Sequence, residues 1–364
     1  MTLKKIFMKP FLFFLLSLSF LNAQTTIFPN VYGEELKSKL VQDYKTGSVL
    51  SYGTARDSMY ARIDNVDGTI TCVYSGYSIS VPYGSANPRT YTNGANPIIN
   101  CEHTWPQSKG ASGNAKSDMH HLWPTNANPN SGRGSLPFAE IDDSDTDRWY
   151  LNVNYVTGTP SSQIDEYSEL DLDKSFEVPE AHKGNVARAM FYFYTMYKSQ
   201  ADSEDPNFFN VQKDVLRKWN MMDPVDEAEI TRTNHIARLQ EGKPNPFVLD
   251  TTLIGRAYFG VTTNLEEFQN YRAESFKLNQ NYPNPFNPET VISYHVKAYG
   301  NSPQHVKLAV YDLLGREIKT LVNGIQKPGL HKITFNAVSF PAGVYFYSLQ
   351  TNEGSITRKM LLLP

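Results

Sequence analysis

Between Pro97 and Gly134 the chain can fold in few ways. Pro97-Ile-Ile-Asn-Cys101 is a short apolar run that reads as a strand, and Gly110 to Gly113 is loop by composition. Met119 to Trp123 reads as a second strand, which Pro124 should stop. Asn128-Pro129 then looks like an N-cap followed by proline at the first helical position, which places Asn130 in the first helical turn. The expected unit is therefore strand, loop, strand and short helix, with Glu102 and His103 at the end of the first strand. Adjacent residues on a regular strand face opposite sides, so these two can serve one site only if the strand ends or twists between them.

The same stretch gathers Glu102, His103, His120, His121, Asn126, Asn128, Asn130 and Arg133. A carboxylate and an amide oxygen are hard ligands that suit Mg²⁺, which keeps several waters and needs few protein oxygens. Imidazole is the natural general base near neutral pH. A structural zinc site would draw on Cys101, His103, His120 and His121, but their spacing is not a usual zinc pattern and it leaves Glu102 and Asn130 without a purpose.

Glu102-His103-Thr-Trp-Pro-Gln-Ser, Ser117-Asp-Met-His-His-Leu-Trp-Pro-Thr and Asn130-Ser-Gly-Arg133-Gly together resemble the endonuclease I family of the ββα-metal (His-Me finger) class. The likeness continues through Asn185-Val-Ala-Arg-Ala-Met-Phe-Tyr, Asp223-Pro-Val-Asp, Glu229-Ile-Thr-Arg and Gly242-Lys-Pro-Asn-Pro-Phe247, covering roughly residues 30 to 255. The resemblance implies a metal-dependent endonuclease that cuts DNA, with RNA as a second substrate, and leaves 5′-phosphate ends. It implies that His103 is the general base, that Glu102 and Asn130 hold Mg²⁺ (with Ca²⁺ or Mn²⁺ as substitutes), and that Arg133 lies beside the phosphate. Lys109, Lys116 and His120 are the expected substrate contacts. The competing reading is a catalytically inactive, surface-displayed binding protein or adhesin.

The first residues read as a targeting segment. Lys4, Lys5 and Lys9 precede an apolar run from Phe11 to Leu21 that ends at Asn22-Ala23, the anatomy of a secretory signal peptide over residues 1–23. That run is too short to span a bilayer, and no transmembrane segment is expected in the mature chain. An exported chain meets an oxidising compartment, so a disulfide between Cys72 and Cys101 is expected, the alternative being two buried free thiols. Charge argues for a restrained grip on nucleic acid. Without the three signal lysines the balance is 31 basic against 37 acidic residues, and residues 140–180 carry 12 acids against Arg148 and Lys174 alone. A protein that binds mainly by phosphate neutralisation usually shows a basic excess.

The rest of the chain divides in two. Glu34 to Tyr44 and Ala55 to Ile63 have helical spacing, and Gly68 to Ser75 reads as a strand leaving a turn at Asp67-Gly68. Tyr77 to Asn96 reads as a long loop, and Asp143 to Asp147 as a solvated acidic loop. Gly184 to Lys198 is apolar nearly all round and should be a central buried helix. Lys213, Arg217, Lys218, Arg232, Arg238 and Lys243 on the next helical stretches are the candidate phosphate-binding face. The expected nuclease domain spans 24–262, and a polar linker follows over 263–276. Six short alternating runs between Val291 and Leu361 then predict a small antiparallel β-sandwich over 277–364. This segment resembles the C-terminal sorting domain of type IX secretion, through Asn281-Tyr-Pro-Asn-Pro-Phe-Asn-Pro288, Val310-Tyr-Asp-Leu-Leu-Gly-Arg316 and Pro341-Ala-Gly-Val-Tyr-Phe-Tyr347. That implies passage through the secretion machinery and a secreted or surface-attached product. The fold class expected is α+β, a mainly helical domain around the ββα unit followed by an all-β sandwich, and a monomer is expected.

Overall fold

A computed structural model describes residues 26–260, 276–296, 304–327, 329–351 and 354–364. The expected signal peptide and nearly all of the expected linker lie outside the described residues. Helices and strands are mixed, as an α+β class requires, and apolar side chains gather into two separate cores, one between Leu36 and Ala257 and one between Leu278 and Leu362.

The first body is built on a helix buried on every side. α1 (Gly33–Tyr44) and α2 (Tyr52–Ser58) form the N-terminal flank. β1 (Ile99–His103) and β2 (Leu122–Asn126) pair antiparallel, and α3 (Ala127–Arg133) follows directly. The central helix is α4 (Lys183–Met196), with α5 (Lys213–Met222) and α6 (Glu227–Leu239) packed around it. Thirteen of the fourteen residues of α4 are buried, so this helix is held by packing all round and not by one apolar stripe. Trp105, just beyond β1, stacks on Phe193 at 4.7 Å between ring centres, which fastens the end of β1 to the core.

Several expectations shift. The second strand begins at Leu122, because Asp118 accepts from His120 N and turns Met119–His121 into a tight helical turn. Pro124 does not stop the strand. It lies opposite Cys101, its carbonyl accepts from Val73 N at 3.1 Å, and so its missing N–H removes no bond to β1. The cap of α3 is Asn126, whose side chain accepts from Asn128 N, and Pro129 falls inside the first turn. Residues 77–96 contain a short strand, Ser78–Ser80, and a helix, Pro88–Gly94.

A four-stranded antiparallel sheet over Arg148–Leu151, Asn154–Val156, Ser168–Asp171 and Ser175–Glu177 stands in the acidic region. Its acids are partly internal. Glu177 meets Lys183 Nζ at 2.7 Å and Glu169 accepts from Thr146 at 2.5 Å, while Glu140 and Glu180 also ring Lys183, at 3.0 and 2.5 Å. Burial pushes the Glu169 carboxyl up to about 8.

The expected Cys72–Cys101 disulfide is not formed; both thiols are free and buried. Cys101 lies on β1 opposite Pro124, whereas the backbone beside Cys72 bonds to the far edge of β2 through Val73 N. Two strand spacings of about 4.8 Å therefore separate them, beyond disulfide reach. Cys72 Sγ instead accepts from Asn126 N at 3.0 Å.

The second body is the sandwich. Strands Phe276–Leu278, Glu289–Val296 and Gly329–Asn336 make one sheet, and Glu317–Gln326, Gln304–Tyr311, Gly343–Thr351 and Gly354–Leu362 the other. Burial alternates residue by residue along Glu289–Val296, with Thr290, Ile292, Tyr294 and Val296 facing in, which is the two-residue period of a half-buried strand.

Candidate active site

The β1–β2 pairing decides where the chemistry sits. Glu102 lies opposite Trp123 and His103 opposite Leu122, and strand geometry sends the two side chains to opposite faces. The Glu102 carboxylate meets Tyr74 and Arg133, while the His103 ring meets Tyr52 and His121. β1 ends at His103, so both side chains stand at the end of the strand.

On the Glu102 side, Tyr74 Oη donates to Oε1 at 2.8 Å and Arg133 Nη1 to the same oxygen at 3.0 Å. No hydrogen bond among the described residues reaches Oε2. Arg133 is fully buried, and it also donates to the carbonyls of His103 at 3.0 Å and Thr104 at 2.7 Å while its guanidinium covers the Phe138 ring. This arginine therefore ties α3 to the end of β1 and offers no open face to a phosphate, which corrects the expected role. Asn130 stands one turn earlier on α3, partly exposed, with no hydrogen bond to its side-chain amide among the described residues. Gly132 makes this helix fit: a Cβ there would come within 2.3 Å of the Tyr150 hydroxyl.

On the other face, His103 Nε2 lies 2.9 Å from the Lys116 carbonyl. A carbonyl can only accept, so Nε2 carries the hydrogen and Nδ1 of the neutral ring holds the lone pair. Gln107, exposed at the rim, reaches Nδ1 with its amide nitrogen at 3.4 Å. Burial, then the neighbouring His121, push the His103 imidazole down to about 3, so the ring is neutral at physiological pH. His121 donates through Nε2 to the Ala115 carbonyl at 2.7 Å and stands edge-on to His103, 5.5 Å between ring centres.

The turn that carries this histidine pair is fixed by Asp118. Its Oδ2 accepts from the Tyr192 and Tyr197 hydroxyls, both at 2.8 Å, and its Oδ1 from Gln240 Nε2 at 2.9 Å and His120 N at 3.1 Å. His120 points away from Glu102 and His103, bonding the Lys243 carbonyl at 2.9 Å and packing on Tyr192, so it is a core residue and not a substrate contact. The four side chains of the zinc alternative do not converge either, since Cys101, His120 and His121 each meet different neighbours.

The expected basic residues scatter. Lys109 pairs with Asp205 at 2.8 Å, and Arg232 is buried against Asp64 and the Trp123 ring. Lys213 and Arg217 lie over Phe259. Lys116 stays beside the site, over Tyr52 at 5.0 Å. Sequence reasoning missed Tyr52, Tyr74, Gln107 and Asp118. Asp118, the acid directly before the His-His pair, and Gln107, in the Glu102-His103 motif, both lay within stretches already singled out.

The arrangement defines an α+β protein with a neutral imidazole base on one side of a strand and a carboxylate with one uncommitted oxygen on the other. Comparison with known proteins gives this class its family: residues 32–252 match the family model described as Endonuclease I, and the chain belongs to that family and is a nuclease hydrolase. An extracellular ribonuclease of Bacillus subtilis (strain 168) is 26% identical over 231 residues, 59% of this chain and 71% of that protein. An extracellular ribonuclease of Bacillus amyloliquefaciens is 30% identical over 162 residues, 41% of this chain and half of that protein. Residues 280–362 match the secretion system C-terminal sorting domain. This tail links the chain to type IX secretion and to a secreted or cell-surface location, and no helix among the described residues is long and apolar enough to cross a membrane.

Proposed function

We propose that this secreted nuclease is a non-specific endonuclease of the ββα-metal type that hydrolyses DNA and RNA to 5′-phosphate ends, with His103 as general base and one Mg²⁺ on Glu102 and Asn130. The observation that carries the reading is the His103 ring itself: the Lys116 carbonyl holds the proton on Nε2, leaving Nδ1 at the rim as the basic nitrogen. The two Bacillus relatives, named as extracellular ribonucleases, support RNA as a substrate beside DNA.

The donor set fits Mg²⁺. Glu102 commits only Oε1 to protein partners, Asn130 carries an unengaged amide oxygen on the adjoining helix, and both are hard oxygen ligands. Bound there, Mg²⁺ would polarise the phosphate and offset charge on the leaving oxygen. His103 Nδ1 takes the proton of the attacking water. Tyr74 and Arg133 orient the Glu102 carboxylate, and His121 backs the His103 ring.

The test is to incubate the purified chain with plasmid and with RNA, with and without EDTA, beside His103→Ala. Cleavage of both substrates, lost in EDTA and reduced about 10²- to 10⁴-fold in His103→Ala, is expected of a general base. Undiminished cleavage in EDTA would remove the metal from the scheme, and an active His103→Ala would remove the base.

A further inference from the structure

Beside His103 the structure holds two cations without counter-charges. Tyr52, on α2, lies 5.4 Å from the His103 ring, and the Arg56 guanidinium and the Lys116 ammonium each stand 5.0 Å from the centre of the Tyr52 ring. All three side chains are half-buried, and the exposed Gln107 reaches His103 Nδ1, so the cluster stands beside the rim where Nδ1 looks out.

Neighbouring acids do not neutralise this pair. Asp57, next to Arg56 in the chain, is held by Arg89 through two bonds of 2.7 and 2.9 Å. Asp64 is taken by Arg232 at 2.7 Å and Asp205 by Lys109 at 2.8 Å. Among the described residues no carboxylate forms an ion pair with Arg56 or Lys116. Two unpaired, half-buried cations on an aromatic platform beside a basic nitrogen are suited to an anion that arrives with the substrate. The other expected phosphate contacts are engaged elsewhere: Arg133 is buried, Lys109 is paired, and Lys213 and Arg217 lie over Phe259.

We propose that Arg56 and Lys116, positioned by Tyr52, form the subsite that grips a phosphodiester group of the nucleic-acid strand next to the bond being cut. The inference rests on the nuclease reading above. It gives this overall acidic protein a small phosphate footprint placed at the catalytic base, and it makes α2 part of the substrate-binding surface.

The test uses the full chain carrying His103→Ala, titrated with a fluorescently labelled 20-base-pair duplex by anisotropy at several salt concentrations. Arg56→Gln and Lys116→Gln should each weaken binding and flatten the log–log salt slope by about one, and the double variant by about two. Arg56→Lys should restore the slope because it keeps the charge. Tyr52→Leu should weaken binding while Tyr52→Phe, which keeps the platform, should not. In the chain with His103 intact, Arg56→Gln should raise KM for the duplex. Salt slopes unchanged in both Gln variants, with wild type cutting DNA or RNA, would overturn the subsite alone. A wild type that cuts neither nucleic acid would overturn the nuclease reading, whatever the slopes. Thermal melting of each variant separates lost contacts from lost folding.

Discussion

Replacing Asp118 should separate the hydrogen-bond network behind the histidines from simple space filling. The carboxylate accepts four bonds in a fully buried place, two from tyrosine hydroxyls, one from an amide and one from a backbone N–H. In Asp118→Asn one oxygen survives to accept from Gln240 and His120, and if the new amide faces the tyrosines their hydroxyls can rotate to accept from it. What is lost is mainly the charge-assisted part of two bonds, about 1–2 kcal/mol. Asp118→Ala leaves all four donors buried without an acceptor, and at about 1–3 kcal/mol each, reduced by local relaxation, the cost should reach about 4–5 kcal/mol. All four tryptophans of the chain, Trp105, Trp123, Trp149 and Trp219, lie in the first body, so urea titration followed by tryptophan fluorescence reports that body alone. Burial alone would push this carboxyl up, but His120, the Gln240 amide and His121 outweigh it and hold the group below its usual value of 3.8. A lowered carboxylate gives stability that is present above its unfolded value and lost as pH falls through the folded one, so the wild-type advantage over Asp118→Ala should shrink below about pH 4. Equal costs for Asn and Ala, or a cost under about 1 kcal/mol for Ala, would refute the reasoning.

Other outcomes follow from the same geometry. Lys183→Met strands the ring of carboxylates around Glu177 and should cost about 3–5 kcal/mol. Because Glu169 and Glu177 titrate above their ordinary range, their contribution is present at low pH and lost as pH rises, so thermal melts of the wild type should fall between about pH 5 and 8 and those of Lys183→Met should fall further. Melts that are flat across that window would show that these acids stay charged. Deleting residues 277–364 should leave plasmid cleavage intact and abolish export, since the two hydrophobic cores are separate; loss of activity with export unchanged would contradict that division.

The legible parts of the fold were those where local pattern and burial agree. The alternating runs between Val291 and Leu361 and the apolar content all round Gly184–Lys198 gave the sandwich and the central helix directly. The first site strand was legible from Ile99 and Cys101, and Glu102 and His103 from their chemistry. What local pattern could not show was the fate of charges. The count of 12 acids over residues 140–180 did not show that Glu169 and Glu177 lie inside a sheet of three- and four-residue strands, with the buried Lys183 paired to Glu177. Arg133 read as a substrate contact because its carbonyl partners at His103 and Thr104 come from another element. Pro124 read as a stop because the sequence does not say which edge of a strand its nitrogen will face. The free thiols had the same origin, since two cysteines on either side of an intervening strand look no different in sequence from two that touch.

The opposite facing of Glu102 and His103 works as a parity rule for the site. Were the two side chains on one face, carboxylate and imidazole would meet as an ion pair, the ring would hold its proton, and both the lone pair and the free oxygen would be spent on each other. A backbone one residue thick insulates them at no cost in sequence. The consequence is an unusual sensitivity to length: inserting or deleting a single residue between Ile99 and Glu102 would turn the acid to the histidine's side and the histidine to the acid's, whereas a two-residue change would preserve the facing and shift only the depth. Tolerance of this strand to change should therefore alternate between odd and even.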